Sequence, residues 1–186
     1  MRITNRLLLI LILITVGGQV SAQLPPVFGE TFRKAARGEQ LSRYYLTPQR
    51  IVWQSDESGK YVKNGQSILA AGTGQADLNK GNYLMLTGSP SHTPGIILDF
   101  GKEIHGGIEI VTTINNDKKM GRVRIRLGES VSETMSEIGE KGATNDHALR
   151  DFTVALPWLG KIEVGNSGFR FARIDLVDSD AKIEIK

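Results

Sequence analysis

The feature of this sequence that most restricts its fold is a series of short β-rich runs separated by turn residues. The clearest run is Arg122 to Leu127, in which polar and apolar residues alternate strictly. A period of two places Val123, Ile125 and Leu127 on one face of a strand and three arginines on the other. Similar runs lie at 51–53, 83–86, 95–100, 107–113, 152–154, 161–164, 169–177 and 183–185.

These runs, with no long stretch of helical periodicity among them, predict an all-β protein of about nine strands. Parallel sheets need crossover helices of about ten or more residues, and the pattern indicates none. We therefore expect two antiparallel sheets packed face to face, a β-sandwich of the jelly-roll, galactose-binding-like type. The long loops at 54–82 and 128–150 make an up-and-down barrel the less favoured alternative, and loops of that length are often functional.

The first 22 residues have the three parts of a secretory signal peptide. Arg2 and Arg6 precede an apolar run over 7–16, and small residues over 20–22 suit cleavage before Gln23. The alternative is a membrane anchor. It is disfavoured because the apolar run is shorter than the roughly 20 residues that cross a bilayer.

The rest of the chain is expected to have two parts. Consecutive prolines and the segment 31–37, which is followed by Gly38, predict an extension over 23–47 that contains one short helix. The pattern changes to strands after Pro48. We therefore place the β-sandwich domain at 48–186.

Charge and cysteine content exclude several classes of protein. The formal charge is +3, but two of the 23 basic residues lie in the signal segment, so 21 remain against 20 acidic ones. A near-neutral domain has no electrostatic footprint for nucleic acid or for a membrane surface. The sequence has no cysteine, which excludes disulfides, thiolate metal sites and lipid attachment through cysteine. We expect a periplasmic or secreted protein that leaves the membrane after signal cleavage.

Two tryptophans are candidate sugar-stacking residues, because an aromatic face suits the C–H side of a pyranose. Trp53 lies beside Ile51 and Val52, which favours a core or sheet-face position. Trp158 follows Pro157 in a turn and is the better candidate for exposure.

Asn145, Asp146 and His147 form a polar cluster before a strand. Their oxygens suit a hard cation, so Asn145 and Asp146 are candidate calcium ligands, or the cluster contacts a sugar. The alternative is a turn or an interdomain contact, since Asn and Asp bond their own backbone.

Two patterns of charged residues can each be interpreted either as a solvated surface or as a functional one. Glu129, Glu133 and Glu137 recur every four residues and would line one face of a helix, which is usually a solvated face rather than a catalytic pair. The arginines at 122, 124 and 126 form either a wet sheet face or a surface that meets another domain.

Three stretches resemble the N-terminal β-sandwich region of bacterial α-L-rhamnosidase-like glycoside hydrolases of the Bacteroidota type. They are LTPQRIVWQS at 46–55, ILDFGKEIHGGIEI at 97–110, and the segment 128–176, within which NDHALRDF at 145–152 is the more specific part. The resemblance covers roughly residues 27–186.

This resemblance implies a part of an enzyme rather than a whole one. In that family an inverting (α/α)6 barrel follows the sandwich modules and carries the catalytic carboxylates, so no catalytic residue can be assigned to this chain and it is not expected to be active alone. The implied partners are that C-terminal barrel and rhamnose-containing glycans. The alternative is a free-standing carbohydrate-binding module. The candidate carbohydrate-binding or interdomain residues are Trp53, Glu129, Asn145, Asp146, His147, Arg150 and Trp158.

Overall fold

A computed structural model describes residues 44–71, 81–114, 121–137, 139–140 and 150–186. The chain divides into two units, residues 1–44 and 45–186, and the described strands all lie in the second. The elements are β1 (Arg50–Gln54), β2 (Val62–Lys63), a 3₁₀ helix (Gly65–Leu69), β3 (Leu84–Thr87), β4 (Gly95–Thr112), β5 (Arg122–Gly128), α1 (Val131–Met135), β6 (Asp151–Ala155), β7 (Gly160–Leu176) and β8 (Lys182–Ile185).

Two long strands, β4 and β7, connect two sections of one antiparallel sheet. The first section has the order β1-β4-β7-β5-β6 and uses residues 95–99 of β4 against 171–175 of β7. The second section has the order β2-β3-β8-β4-β7 and uses residues 108–112 against 160–164. Each long strand therefore belongs to both sections.

The two sections enclose a single apolar core. β5 contributes Val123, Ile125 and Leu127, each with no exposed surface, as the alternation predicts. Residues of both sections form one cluster with them, including Leu84, Leu86, Ile96, Leu98, Ile110, Ile174, Leu176, Ile183 and Ile185. One core shared by two antiparallel sections confirms the predicted all-β, sandwich-like fold.

The number and lengths of the strands differ from the prediction. The predicted strands 95–100 and 107–113 are one strand, and so are 161–164 and 169–177. Gly101 and Gly165 have positive φ angles of 78° and 87° and lie where the register of β4 with β7 shifts. An extra residue with positive φ forms a bulge, which bends a strand without ending it.

The two long loops contain secondary structure that the sequence pattern did not predict. The first holds β2 and the 3₁₀ helix, and the second begins with α1. Ser130 caps α1, since its hydroxyl accepts from the Glu133 amide at 3.2 Å, and the Glu133 carboxylate accepts from the Glu129 amide at 2.8 Å. This arrangement resembles a capping box.

Some predictions fall outside the described residues. They concern the signal peptide at 1–22, the helix at 31–37 and the cluster Asn145, Asp146 and His147. In the part of the chain that the structure does describe, no helix is both long enough and apolar enough to span a membrane.

We expect Gly165→Ala to lower the free energy of unfolding by about 2–3 kcal/mol. A Cβ at Gly165 would lie 2.9 Å from Cδ1 of the buried Leu127, so crowding adds to the unfavourable left-handed backbone. Gly59 has a similar φ of 75° but open space around its Cβ position, and Gly59→Ala should cost only about 1 kcal/mol. Urea denaturation measures the free energy of unfolding of both variants. Equal losses of stability would contradict the contribution of crowding against Leu127 at Gly165.

Candidate functional site

The outer face of the first section, opposite the core, carries charged side chains. The three arginines of β5 project there, and their exposed fractions fall from 57% at Arg122 to 28% at Arg124 and 3% at Arg126. The interpretation as a wet face is therefore wrong for Arg126. The reason is that the end of α1 covers this side chain, whose Nη1 donates to the backbone oxygens of Met135 and Ser136 at 3.4 and 3.3 Å.

Arg124 binds two carboxylates. It donates to Asp151 through Nε at 2.9 Å and Nη2 at 2.6 Å, and to Glu137 through Nη1 at 3.1 Å and Nη2 at 2.6 Å. The bonds to Asp151 and then to Glu137 raise the pKa of Arg124. Arg124 in turn lowers the pKa of Glu137, so this carboxylate is ionised at neutral pH.

Arg126 bridges two carboxylates in a more buried position. Its Nη1 lies 3.2 Å from Glu137 and its Nη2 lies 3.1 Å from Asp175. The Arg126 Nε is buried and has no acceptor among the described residues. A buried donor of this kind is uncommon in native structures, and it marks a position where an acceptor would be favourable.

Arg173 extends the network toward β1. Its Nε donates to Asp175 at 2.9 Å, and its Nη1 lies 2.8 Å from the sulfur of Met135. The guanidinium also lies over the ring of Trp53, 4.9 Å from the centroid, a cation–π distance. Trp53 is thus part of the outer sheet face, and Arg173 covers one side of its indole.

These side chains surround a cavity of about 340 Å³ on the outer face. Its charged lining consists of three arginines and two carboxylates. The lining residues are Thr93, Arg124, Arg126, Glu137, Arg173, Asp175 and Val177. The arginine stripe and the glutamate pattern of the sequence include Arg124, Arg126 and Glu137. No sequence pattern marked the other lining residues, because the strands that supply Arg173 and Asp175 pair over long sequence separations.

The predicted residues Glu129 and Arg150 contact each other and do not line the cavity. Arg150 donates to Glu129 at 2.9 Å and to Glu133 at 3.4 Å. The helix that would align the three glutamates covers only Glu133. The expectation of one shared helix face is therefore wrong, whereas solvent exposure holds for Glu129 at 49% and Glu137 at 58% but not for Glu133 at 15%.

The remaining predicted residues have different outcomes. Trp158 is 49% exposed, as its turn position suggests. Asn145, Asp146 and His147 lie outside the described residues, so the calcium prediction stays a prediction. Within the described ranges, no group of three His, Asp or Glu side chains is arranged to hold a metal ion.

A second polar cluster surrounds Asp99, which is 1% exposed. Arg170 donates to it at 2.8 and 3.1 Å, Arg50 at 2.8 Å and the Gly101 amide at 2.7 Å. The Arg170 bonds, followed by the Gly101 and Arg50 bonds, hold the pKa of Asp99 well below its usual range. This cluster ties β1, β4 and β7 together, which is a structural role.

A serine and a histidine also meet at the start of β4. The His92 Nε2 lies 3.1 Å from the Ser55 hydroxyl, and that hydroxyl accepts from the Gly95 amide at 2.9 Å. The His92 ring stacks on Tyr61, with the centroids 4.5 Å apart. The Ser55 oxygen thus joins the end of β1 to β4, and the pair lies outside the cavity lining.

Comparisons with known proteins give a distant likeness. No family model matches the chain, and no curated protein matches it. Among solved structures, it is similar to a rhamnosidase from Klebsiella oxytoca with rhamnose bound, at 15% sequence identity and a TM-score of 0.42. The match covers 55% of this chain and 20% of the rhamnosidase chain, so the present sequence corresponds to a small part of that structure.

We expect Asp99→Asn to lower the free energy of unfolding at pH 7 by about 2 kcal/mol, because it removes charge-assisted hydrogen bonds. The folded-state pKa of Asp99 is lowered, so its contribution is present above the unfolded value near 4 and is lost as the pH falls through the folded value. The difference between wild type and variant should therefore shrink below about pH 4.

Urea unfolding at a series of pH values measures this difference. Glu57→Gln is the matched control, since Glu57 is exposed and its change should stay within about 0.5 kcal/mol. A difference in the free energy of unfolding between wild type and Asp99→Asn that does not change with pH would contradict the role of the ionised carboxylate.

Proposed function

We propose that this chain is a non-catalytic β-sandwich module of an exported rhamnosidase-like glycoside hydrolase. In this proposal it packs against the catalytic barrel, and the outer-face cavity contributes to binding the sugar. The observation that carries the proposal is the cavity itself, in which guanidinium and carboxylate groups converge around a space of about 340 Å³. The resemblance of the three sequence stretches to that enzyme family supplies the class of ligand.

The chemistry of the lining suits a polyhydroxylated ligand. A sugar hydroxyl both donates and accepts, so neighbouring hydroxyls can donate to Asp175 and accept from Arg124 or Arg173. The volume lies at the lower end of the range of small-molecule sites, about 300–1,000 Å³. One sugar unit is therefore the ligand size that the cavity supports.

The carboxylates of the cavity support binding rather than hydrolysis. An inverting glycosidase needs one carboxyl group with a raised pKa as the acid and a second as the base. Arg124 lowers the pKa of Glu137, and Asp175 accepts from both Arg126 and Arg173. The Glu137 carboxylate, whose pKa Arg124 lowers, favours the ionised form and is a poor proton donor.

Exposed apolar side chains near the cavity support a partner surface. Val177 lines the cavity and is 42% exposed, and Met135, which contacts Arg173, is 37% exposed. Methionine and arginine are enriched in protein–protein interfaces, so this patch fits a surface that a second domain covers. The catalytic barrel is the partner that we propose, in the periplasm or outside the cell.

A free-standing carbohydrate-binding module is the second candidate. It is favoured by Trp158, which offers an exposed aromatic face.

We expect methyl α-L-rhamnoside to shift the NMR signals of the Thr93 amide and of the Arg173 Nε–H, with a dissociation constant of about 1 mM. Arg173→Gln should weaken binding about tenfold, because it removes a charged donor from the lining. Lys161→Gln is the control: Lys161 is an exposed cation paired with Glu109 in the second section, and its loss should leave the affinity unchanged. Shifts confined to residues outside the cavity, or none, would contradict the proposal.

We expect no turnover of an aryl α-L-rhamnoside by the chain alone, since Glu137 is held ionised and unable to protonate a leaving group. Release of the aryl group, measured by absorbance, is the assay. Turnover that disappears in Glu137→Gln would show a hydrolase and overturn the non-catalytic assignment.

A further inference from the structure

Glu137 is the most exposed charged group of the cavity lining, yet it binds two arginines. Its side chain is 58% exposed, against 28% for Arg124, 16% for Arg173, 5% for Asp175 and 3% for Arg126. One of its oxygens lies 2.6 Å from Arg124 and the other lies 3.2 Å from Arg126. The carboxylate therefore sits between two guanidinium groups at the solvent side of the cavity.

The arginines exceed the carboxylates in the lining. Three guanidinium groups face two carboxylates, and the buried Nε of Arg126 has no acceptor among the residues that the structure describes. Guanidinium groups recognise planar carboxylates through paired N–H donors. Outside the lining, Asp151 accepts from Arg124, so the spare donor of the network is the buried Nε of Arg126.

We propose that the cavity binds the carboxylate of an acidic saccharide, a uronic acid unit, and that Glu137 is an internal carboxylate that the ligand displaces. The inference rests on the proposed function, in which this cavity binds a sugar, and it names the class of that sugar. The ligand carboxylate takes the place of the Glu137 carboxylate between Arg124 and Arg126. The sugar hydroxyls then bond to Thr93 and Asp175.

The exchange is feasible because it replaces one carboxylate by another. Arg124 and Arg126 keep a charged acceptor throughout, so no cation is left buried and unpaired. The released Glu137 is already largely exposed, so its hydration changes little when it moves into water. Glu137 nevertheless competes with an acidic ligand. The affinity for the ligand is lowered by the free energy of the bonds that Glu137 makes to Arg124 and Arg126.

The lining also disfavours a doubly charged anion. Asp175 is 5% exposed and accepts from Arg126 and Arg173, and it places a carboxylate inside the cavity. A phosphate dianion would meet this charge, whereas a monoanionic uronate can direct hydroxyl donors toward it. The same carboxylate therefore selects for a hydroxylated monoanion.

The test compares methyl α-D-galacturonide with methyl α-D-galactoside, which lacks the carboxylate, by NMR titration of the full chain. The wild type should bind the galacturonide more tightly. Glu137→Gln should raise the affinity for the galacturonide roughly tenfold, about 1.4 kcal/mol, and change that for the galactoside by less than about twofold. Glu57→Gln removes one exposed carboxylate away from the cavity and should change neither affinity.

The outcomes separate this inference from the proposed function. If the rhamnoside shifts the cavity signals while the galacturonide binds no better than the galactoside in either protein, the inference is overturned and the sugar-binding function stands. If Glu137→Gln raises the affinity for the galacturonide while the rhamnoside shifts none of the cavity's NMR signals, the inference stands and rhamnose is the wrong sugar. Tighter binding of inorganic phosphate than of the galacturonide to Glu137→Gln would overturn the saccharide carboxylate as the ligand.

Discussion

The pairing of β4 with β7 is the contact on which the rest of the structure depends. Residues 95–99 pair with 171–175 in one section and 108–112 pair with 160–164 in the other. Both sections therefore depend on the same pair of strands, although the register of the pair shifts between them. A slip of one residue would turn the apolar set of β7 outward and bring Arg173 and Asp175 into the core. The shared core and the charged outer face are consequences of the same register.

That register creates an electrostatic difficulty on the outer face, which the network resolves. Arg126 lies directly opposite Arg173 on the neighbouring strand, and like charges in such a pair are destabilising. Asp175 accepts from both, at 3.1 and 2.9 Å. Glu137 supplies a second carboxylate to Arg126 from beyond α1. The buried guanidinium is thus stabilised by two acidic groups rather than one, as a buried charge requires.

The sequence predicts the parts of the fold that depend on neighbouring residues. Alternation placed Val123, Ile125 and Leu127 in the core correctly, because a strand's two faces follow directly from its period. The same alternation did not distinguish a wet face from a covered one, so it missed the burial of Arg126. It also gave no reason to join 95–100 to 107–113. Whether Gly101 forms a turn or a bulge depends on pairing with a strand about 70 residues later.

The candidate site was harder to predict than the fold. Its charged residues come from β5, β7 and the segment after α1, and they meet only because β5 pairs with β7. One local signal was present: Ser130 and Glu133 have the spacing of a capping box, which predicts a helix start within the loop. With α1 in place, Glu137 follows on the same side as the arginines. No such local pattern marks Asp175.

The balance of charge on the outer face has a consequence for how fast a partner or ligand arrives. Arg124, Arg126 and Arg173 are matched by Asp151, Glu137 and Asp175 at hydrogen-bond distance. The electric fields of opposite charges this close together cancel at distances beyond a Debye length, which is about 8 Å at physiological ionic strength. Encounter is therefore governed by ordinary diffusion, with little acceleration by long-range attraction. Discrimination between ligands then depends on how long each one stays bound.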